Sequence, residues 1–327
     1  MKTAALLKIA EEYLALTRPV ARSYPDDQER NRAKFGYRRN LLRSFVQFWV
    51  DRGRIWPISS ALVFDWVAQG AKPEQPYRDR HRLFTVRGFL IHLRTVEPNT
   101  EVPRNVFRKP RRRIPRLLSD EEIGSLMNAT AKLRACSIFR RAMLATLVGV
   151  LASTGLRIGE ALRLNENEVH LDANPAYLTI RDTKFGKSRI VILHPTTAVH
   201  LRKFAKLRAE SIRDHSPQTF FASQSGKPLP YNSTRTTFLR LVRHAEIIQG
   251  PGQKHVNLHS LRHGFAIRRL TLWHKGGANV VELLPHLSVY MGHVDPKDTY
   301  WYLTATAELL GAASSRFEEY QNRGAER

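Results

Sequence analysis

The first hundred residues carry apolar positions at the three- and four-residue spacing of helices that bury one face. Four segments show this spacing, the third less regularly than the others. The positions that share a face in each segment are Leu6, Leu7, Ala10 and Leu14; Leu41, Leu42, Phe45, Phe48 and Trp49; Ala61, Leu62, Phe64, Asp65 and Trp66; and Leu83, Val86, Phe89, Leu90 and Leu93. Turn-forming residues near 51–59 and 69–76 lie between segments. The pattern predicts a small domain made of helices.

The pattern changes after residue 118, where helical segments flank two strand-like runs. Ser119, followed three positions later by Glu122, predicts a capping box at the start of a helix. An apolar stretch at 142–152 follows, and then the runs AYLTIRD and SRIVILH, which are rich in strand-forming residues. TKFGK joins the runs and contains Gly186, which predicts a β-hairpin. Helical spacing then returns, so we expect a mainly α fold with a small β-sheet in the C-terminal domain.

A basic segment, VPRNVFRKPRRRIPR at 102–116, joins the two parts. It has seven basic residues, three prolines and no acid. Because proline and charge repulsion disfavour a helix, the segment predicts a solvated linker, and its charge also suits it to lie along a phosphate backbone. The side chains expected to contact such a backbone are Arg108, Lys109, Arg111, Arg112 and Arg113. The predicted domains are residues 1–103 and 118–327, with the linker at 104–117.

Charge narrows the class of partner. The chain has 53 lysines and arginines against 29 acids, a net charge of +24 that attracts a polyanion. Nucleic acid fits better than a membrane surface, because no basic amphipathic helix stands apart and no stretch of about 20 apolar residues occurs. The single cysteine, Cys136, excludes an internal disulfide, and the N-terminus lacks the pattern of a signal peptide. We expect a cytoplasmic protein of the prokaryotic nucleoid.

Two segments of the second domain hold cations suited to a reacting phosphate. STGLRIGEAL places Arg157 in the first turn of a helix after a Ser/Thr cap, and Glu160, three positions on, can brace its guanidinium. The hairpin turn KFGK presents Lys184 and Lys187. Taken singly, an arginine on a helix or a lysine in a turn is usually solvated. Such a turn can also reach into a groove and present an ammonium group to a phosphate.

A third segment, NLHSLRHG at 257–264, carries two histidines and an arginine. On a helix, His259 and Arg262 share one face. His259 and His263 are four positions apart, as in the zinc-protease helix. That motif requires a glutamate directly after the first histidine, where Ser260 stands, so we expect no metal here.

The fourth segment, YMGHVDPKDTYWY, contains His293, Tyr300 and Tyr302. These residues alone leave open whether either tyrosine reacts or only packs. Together the four segments supply the groups that phosphoryl transfer needs. Guanidinium groups can hold the non-bridging oxygens of the phosphate. A tyrosine, whose ordinary pKa is near 10, needs a base to take its proton. The departing sugar oxygen needs an acid that gives it a proton. Cationic side chains can stabilise the charge that many nucleases neutralise with Mg²⁺, so we expect no cofactor.

The four segments resemble the tyrosine recombinases, the phage-type integrase family of site-specific DNA strand-exchange enzymes. TGLRIGE, KFGKSRIVIL, HSLRHGFA and MGHVDPKDTYWYL occur in the family's order between about residues 120 and 310. The ending TYWYLTATAELL is most similar to members carried by transposons and other mobile elements. The resemblance implies DNA integration, excision or transposition without metal or ATP, through a covalent 3′-phosphotyrosine intermediate.

The resemblance also implies roles for the cations. Arg157 and Arg262 match the family's two phosphate-binding arginines. Lys184 matches the hairpin lysine that acts as general acid toward the leaving 5′-hydroxyl, with Lys187 as the alternative. Glu160 is expected to brace the site from behind.

The remaining matches concern histidines and the nucleophile. His259 matches the histidine that binds the scissile phosphate and assists proton transfer, and His293 matches the last histidine, which bonds the phosphate. The family's nucleophile stands nine positions after that last histidine, where this chain has Tyr302. Tyr300 then becomes a packing neighbour and stays the alternative nucleophile, and His263 is a second bracing residue.

The resemblance further implies a two-domain, C-shaped clamp on double-stranded DNA. The helical N-terminal domain would be the core-binding half. The enzyme would work as a tetramer on paired sites and would be a monomer or dimer when DNA is absent. The ending LLGAASSRFEEYQNR is similar to tails that dock on a neighbouring protomer, and its apolar positions are Leu309, Leu310, Ala313 and Phe317. Two alternatives share these residues: a type IB-like topoisomerase, and a DNA-binding accessory protein without catalysis. The presence of all six catalytic candidates argues against the second.

Overall fold

The structure, a computed structural model, is mainly helical with one small antiparallel sheet, so the expected fold class is confirmed. It describes residues 2–17, 25–70, 76–107, 116–134, 136–181, 188–212, 218–248, 255–293, 295 and 297–304. None of the helices in these ranges is both long and apolar enough to cross a membrane.

The chain divides into two compact units, Met1–Arg111 and Arg112–Arg327. The division falls inside the basic segment of the sequence. The five basic residues expected to follow a phosphate backbone lie outside the described residues: Arg108, Lys109, Arg111, Arg112 and Arg113.

The first unit is built from helices in its described part. These are α1 (Thr3–Leu16), α2 (Pro25–Asp51), α3 (Ser60–Gln69) and α4 (Pro76–Leu93). Helix α1 buries Leu6, Ala10 and Leu14, as its apolar spacing predicts. Helix α3 buries Leu62 and Trp66 as predicted, but it also buries Val63 and Val67. The other predicted positions are exposed or only partly covered: Ala61, Phe64 and Asp65.

The second unit places helices around a three-stranded sheet. Its helices are α5 (Asp120–Asn128), α6 (Ile138–Thr154), α7 (Ile158–Leu162), α8 (Pro195–Ser211), α9 (Tyr231–His244), α10 (Leu258–Lys275), α11 (Val280–Met291) and α12 (Lys297–Tyr300). Its strands are β1 (Val169–His170), β2 (Tyr177–Ile180) and β3 (Arg189–Ile192). Strands β2 and β3 pair antiparallel with Tyr177 opposite Ile192, which confirms the hairpin. Strand β1, which the sequence pattern does not predict, pairs with β2.

Helix α5 begins with the predicted capping box. The Glu122 amide donates to Ser119 Oγ at 3.2 Å, and the Ser119 amide donates to Glu122 Oε2 at 2.9 Å. Helix α6, apolar over most of its length, packs against α5, α8 and α10. Helix α10 also packs against α11, where Phe265, Leu284 and Tyr302 share a buried cluster. The C-terminal ends of α6 and α11 are thereby held beside α10.

Candidate active site

Arg157 lies between α6 and α7. It was expected in a first helical turn after a Ser/Thr cap, and that expectation is wrong: Thr154 ends α6, and Arg157 is itself the residue before α7. Its guanidinium donates to Glu160 Oε1 and to the Gly292 carbonyl, each at 2.8 Å. Its side chain remains 31% exposed. Two anchors therefore hold the arginine while part of it stays accessible.

Glu160 is a buried carboxylate shared by two arginines. Arg189 Nη2 donates to its second oxygen at 2.8 Å, opposite the bond from Arg157. Burial by itself would raise the pKa of Glu160, but the hydrogen bond and charge of Arg189, together with the charge of Arg157, outweigh it and lower the pKa to about 2. The carboxylate is therefore ionised at neutral pH and fixes both guanidinium groups.

Arg262, in the first part of α10, is the most buried of these arginines, with 1% of its surface exposed. It donates to the carbonyls of Gly155 at 2.6 Å and Met291 at 2.8 Å. Gly155 caps the C-terminus of α6, and Met291 ends α11. Helix C-termini carry partial negative charge, so both ends stabilise the buried cation. Burial, and then repulsion from Arg157, lower the pKa of Arg262 to about 9, which leaves it charged at neutral pH.

The C-terminus of α11 organises three arginines through successive carbonyls. Those of Tyr290, Met291 and Gly292 accept from Arg189, Arg262 and Arg157, respectively, each at 2.8 Å. Gly292 ends the helix in the left-handed region, with φ of 69°. One helix end therefore sets the spacing of these guanidinium groups.

His259 and His263 lie one turn apart on α10. His259 is exposed, and its amide donates to the capping Asn257 Oδ1 at 2.9 Å. The two imidazole rings meet edge to face, with centroids 4.4 Å apart. His263 is buried, and its Nδ1 lies 2.9 Å from the hydroxyl of Tyr302.

The two candidate tyrosines differ in environment. Tyr302 is 2% exposed and contributes its ring to the cluster between α10 and α11. Tyr300 is 44% exposed. Of the two hydroxyl groups, that of Tyr302 is the one hydrogen-bonded to the helix that carries Arg262.

His293 follows Gly292 and lies beside the same groups. Its Nδ1 is 2.6 Å from Thr299 Oγ1, and its ring lies parallel to that of Tyr302 at 6.3 Å. Burial, and then the positive charges of Arg262 and Arg157, lower the pKa of His293 to about 3. The imidazole is therefore neutral at neutral pH.

The structure brings most of the predicted residues together within the second unit. Those that converge are Arg157, Glu160, His259, Arg262, His263, His293 and Tyr302. Lys184 and Lys187 lie outside the described residues. Arg189 and Thr299, which contact Glu160 and His293 respectively, were not predicted from the sequence. Chemically, the cluster joins a phenolic hydroxyl to permanent cations and a neutral imidazole, as transfer of a phosphoryl group requires.

Comparison with known proteins identifies the family of this chain. The phage integrase family model matches residues 116–308. The putative integrase/recombinase y4rE of Sinorhizobium fredii is 35% identical over 287 residues, which span 86% of this chain and 89% of that protein.

Two solved structures share the fold at low sequence identity. The XerH site-specific recombinase, in a post-cleavage complex with its palindromic difH substrate, has a TM-score of 0.70 and 17% identity, covering 97% of each chain. A lambda integrase tetramer bound to a Holliday junction has a TM-score of 0.62 and 14% identity, covering 91% of this chain and 76% of that one. Because the family model covers more than half of the chain and a relative exceeds 30% identity, the chain belongs to the phage integrase family of tyrosine recombinases.

Proposed function

We propose that this enzyme exchanges DNA strands at specific sites, with Tyr302 as the nucleophile and a covalent 3′-phosphotyrosine as the intermediate. Integration, excision and transposition are all reactions of this type, and a mobile element is the proposed setting. Family membership supports the reaction class. Neither a topoisomerase nor an idle accessory protein receives support from the comparisons.

One observation carries the assignment of residues. The Tyr302 hydroxyl is hydrogen-bonded to His263, which follows Arg262 in the chain. Arg262 donates a hydrogen bond to the Met291 carbonyl, and Arg157 donates one to the adjacent Gly292 carbonyl. Three segments distant in sequence therefore bring a hydroxyl and two charged guanidinium groups to one place. Such pre-positioned cations lower the barrier for a transition state whose negative charge grows on phosphate oxygens.

The reaction follows from these groups. The oxygen of Tyr302 attacks the phosphorus, the bond from phosphorus to the 5′-oxygen breaks, and the departing oxygen takes a proton from Lys184, the expected general acid. Arg157 and Arg262 hold the non-bridging oxygens, and neutral His293 donates a hydrogen bond to one of them. Attack by the 5′-hydroxyl of a second strand reverses the step and releases Tyr302. The phosphotyrosine conserves the phosphodiester bond, so rejoining needs no ATP.

The proposed partner is double-stranded DNA, bound by four copies of the chain on paired sites. XerH was solved on its DNA substrate, and lambda integrase as a tetramer on a Holliday junction. The net charge of +24 suits such a polyanion. We assign the first unit to the core-binding half of a clamp and the segment 104–117 to the DNA backbone.

The test uses duplexes tiled from the DNA that flanks the gene, each nicked so that the released strand end diffuses away. We expect the wild-type protein to become trapped on one duplex as an adduct that survives denaturation. The Tyr302→Phe variant should lose the adduct completely, because phenylalanine has no nucleophile, while DNA affinity stays almost unchanged. Denaturing gels and mass spectrometry of the linked peptide measure both outcomes.

Tyr300→Phe is the matched control, because it removes the same atom two positions away, from an exposed side chain. This variant should form the adduct at the wild-type rate. An adduct linked to Tyr300, or one that persists in Tyr302→Phe, would show that the nucleophile is wrongly assigned. If the wild-type protein forms no adduct on any duplex that it binds, the proposed function fails as a whole.

A further inference from the structure

The hydroxyl of Tyr302 has a buried histidine as a hydrogen-bond partner. His263 Nδ1 lies 2.9 Å from the phenolic oxygen, and the two rings meet at 61° with centroids 5.5 Å apart. Tyr302 is 2% exposed and His263 is 7% exposed, so both rings are held by packing. This distance is within the reach required of a general base, about 2.6–3.2 Å.

A tyrosine nucleophile needs such a base, because its ordinary pKa is about 10 and few phenol groups ionise at neutral pH. An imidazole is the side chain best suited to accept the proton there. Neutral His293 is engaged through its Nδ1 with Thr299 Oγ1. His259 is exposed on the outer side of the His263 ring, where it is suited to meet a phosphate.

We infer that His263 is a catalytic residue, the general base that takes the proton of Tyr302 during strand cleavage. The inference rests on the proposed function. The oxygen–hydrogen bond of Tyr302 breaks, its proton moves to His263 Nδ1, and the freed electron pair forms the bond to phosphorus as the 5′-oxygen leaves. On rejoining, the phenolic oxygen leaves phosphorus and takes the same proton back. No other reactant is needed, because rejoining returns to Tyr302 the proton that cleavage removes.

Several titratable and charged groups surround His263. His259 and Arg262 lie on its own helix, and Tyr302 reaches it from the 3₁₀ turn Trp301–Thr304. His293 lies beyond, parallel to the Tyr302 ring. Among these groups, the Tyr302 hydroxyl is the one that lies at hydrogen-bond distance from Nδ1, which is thereby positioned to accept its proton.

The experiment measures the single-turnover rate of adduct formation on the nicked duplex. In His263→Asn the side-chain oxygen can still accept the hydroxyl bond near the Nδ1 position, but it is no base. We expect the rate to fall by about 100-fold or more, the usual effect of removing a general base. The wild-type rate should rise with pH and level off once His263 is unprotonated, whereas the rate of the variant should continue to rise with hydroxide.

Two further comparisons separate catalysis from packing. A duplex with sulfur in place of the leaving 5′-oxygen needs no proton on the leaving group. It should restore cleavage in Lys184→Ala but leave His263→Asn slow, because the defect of the second variant lies on the attacking side. In His263→Ala, added imidazole should recover part of the rate. His286→Asn, at an exposed histidine of α11, is the control and should match the wild-type protein.

A wild-type rate and pH profile in His263→Asn would overturn the inference, and so would rescue of that variant by the sulfur duplex. DNA affinity and circular dichroism check that each variant is folded. A His263 variant that is not folded is replaced by His263→Gln. The two hypotheses fail differently. Loss of the adduct in wild-type protein defeats the proposed function, whereas an adduct that does not depend on His263 defeats this inference alone.

Discussion

At the scale of single residues, Arg189 shows how a buried charge is organised. It donates to Glu160 and to the Tyr290 carbonyl, and its side chain is 8% exposed. Glu160 in turn holds Arg157. Arg189 therefore acts on the proposed phosphate site through Glu160, as a positioning residue.

Replacing Arg189 with methionine should lower the free energy of unfolding at pH 7 by about 3 kcal/mol, because a buried carboxylate loses one of its partners. Without Arg189 the pKa of Glu160 rises from about 2. Wild-type Glu160 contributes stability above its ordinary pKa of 4.5 and loses that contribution as the pH falls toward 2. The gap between variant and wild type should therefore narrow on acidification, which urea unfolding at pH 7 and pH 4 can measure.

Arg43→Met is the matched control for this prediction. Arg43 also pairs with a carboxylate, Glu11 at 3.2 Å, but both side chains are largely exposed. Exposed pairs contribute about 0–1 kcal/mol, so this variant should unfold nearly like wild type. Equal losses in Arg189→Met and Arg43→Met, or a gap that does not change with pH, would contradict the prediction.

Arg157, Arg262 and Tyr302 could be proposed from the sequence because each lies in a segment that resembles a motif of the family and matches a catalytic position of that motif. Arg189 gave no such signal. In strand β3, Arg189–Ile192, hydrophobicity alone would turn the two isoleucines inward and Arg189 outward. Instead, Ile190 and Ile192 are more than half exposed, and Val191 is buried on the same face as Arg189. The buried carboxylate that decides this orientation stands 29 positions earlier in the chain. A local pattern carries no information about that pair.

At the scale of elements, the end of α11 holds the site together. Gly292 has φ of 69°, and a Cβ there would lie 2.6 Å from Arg189 Nη1. Its own carbonyl accepts from Arg157. Backbone conformation and close approach both require glycine at this position.

Gly292→Ala should therefore destabilise the second unit by about 1–2 kcal/mol through backbone strain alone. It should also displace Arg189, and with it the contacts to Glu160. We expect adduct formation to fall even at temperatures where the variant is fully folded, because the guanidinium spacing changes. Thermal unfolding and the rate on the nicked duplex measure the two effects separately.

Gly124→Ala in α5 is the control, because no atom lies within 4 Å of the added Cβ and the backbone there is helical. It should stabilise the protein by about 0.5–1 kcal/mol and leave cleavage unchanged. The prediction for Gly292→Ala would be wrong if that variant matched Gly124→Ala in both measurements.

Element length explains which parts of the fold were predictable. Helix α6 and the β2–β3 hairpin extend over enough residues for their periodicity to register, and the capping box of α5 is a local motif. Strand β1 has two residues, Val169 and His170, too few for any alternation to appear. Helix α3 is apolar on more than one face, so tertiary packing decided which positions were buried.

At the scale of the whole molecule, charge governs how the enzyme meets DNA. The net charge of +24 is spread over both predicted domains and the linker between them. Each lysine or arginine that binds a phosphate releases a counterion, so affinity falls as salt rises, with a slope of about 0.9 per neutralised phosphate in logarithmic units. This slope counts the phosphates that the protein neutralises without requiring knowledge of the recognised sequence.

The linker proposal predicts a change in that slope. Replacing its five basic residues with glutamine should reduce the slope by up to about 4.5, which is about 0.9 for each phosphate that the variant no longer neutralises. Those residues are Arg108, Lys109, Arg111, Arg112 and Arg113. Filter binding or fluorescence anisotropy on the cleaved duplex, at salt from low to physiological, measures it.

A second variant with the same charge separates direct phosphate binding from general attraction. It replaces five exposed basic residues outside the linker, namely Lys2, Lys8, Arg94, Arg134 and Lys275. General attraction depends on net charge and is screened within about 10 Å at 0.1 M salt, so it would weaken both variants equally. Direct phosphate binding instead requires a much larger change in slope for the linker variant. Equal slopes in the two variants would refute a linker that follows the DNA backbone.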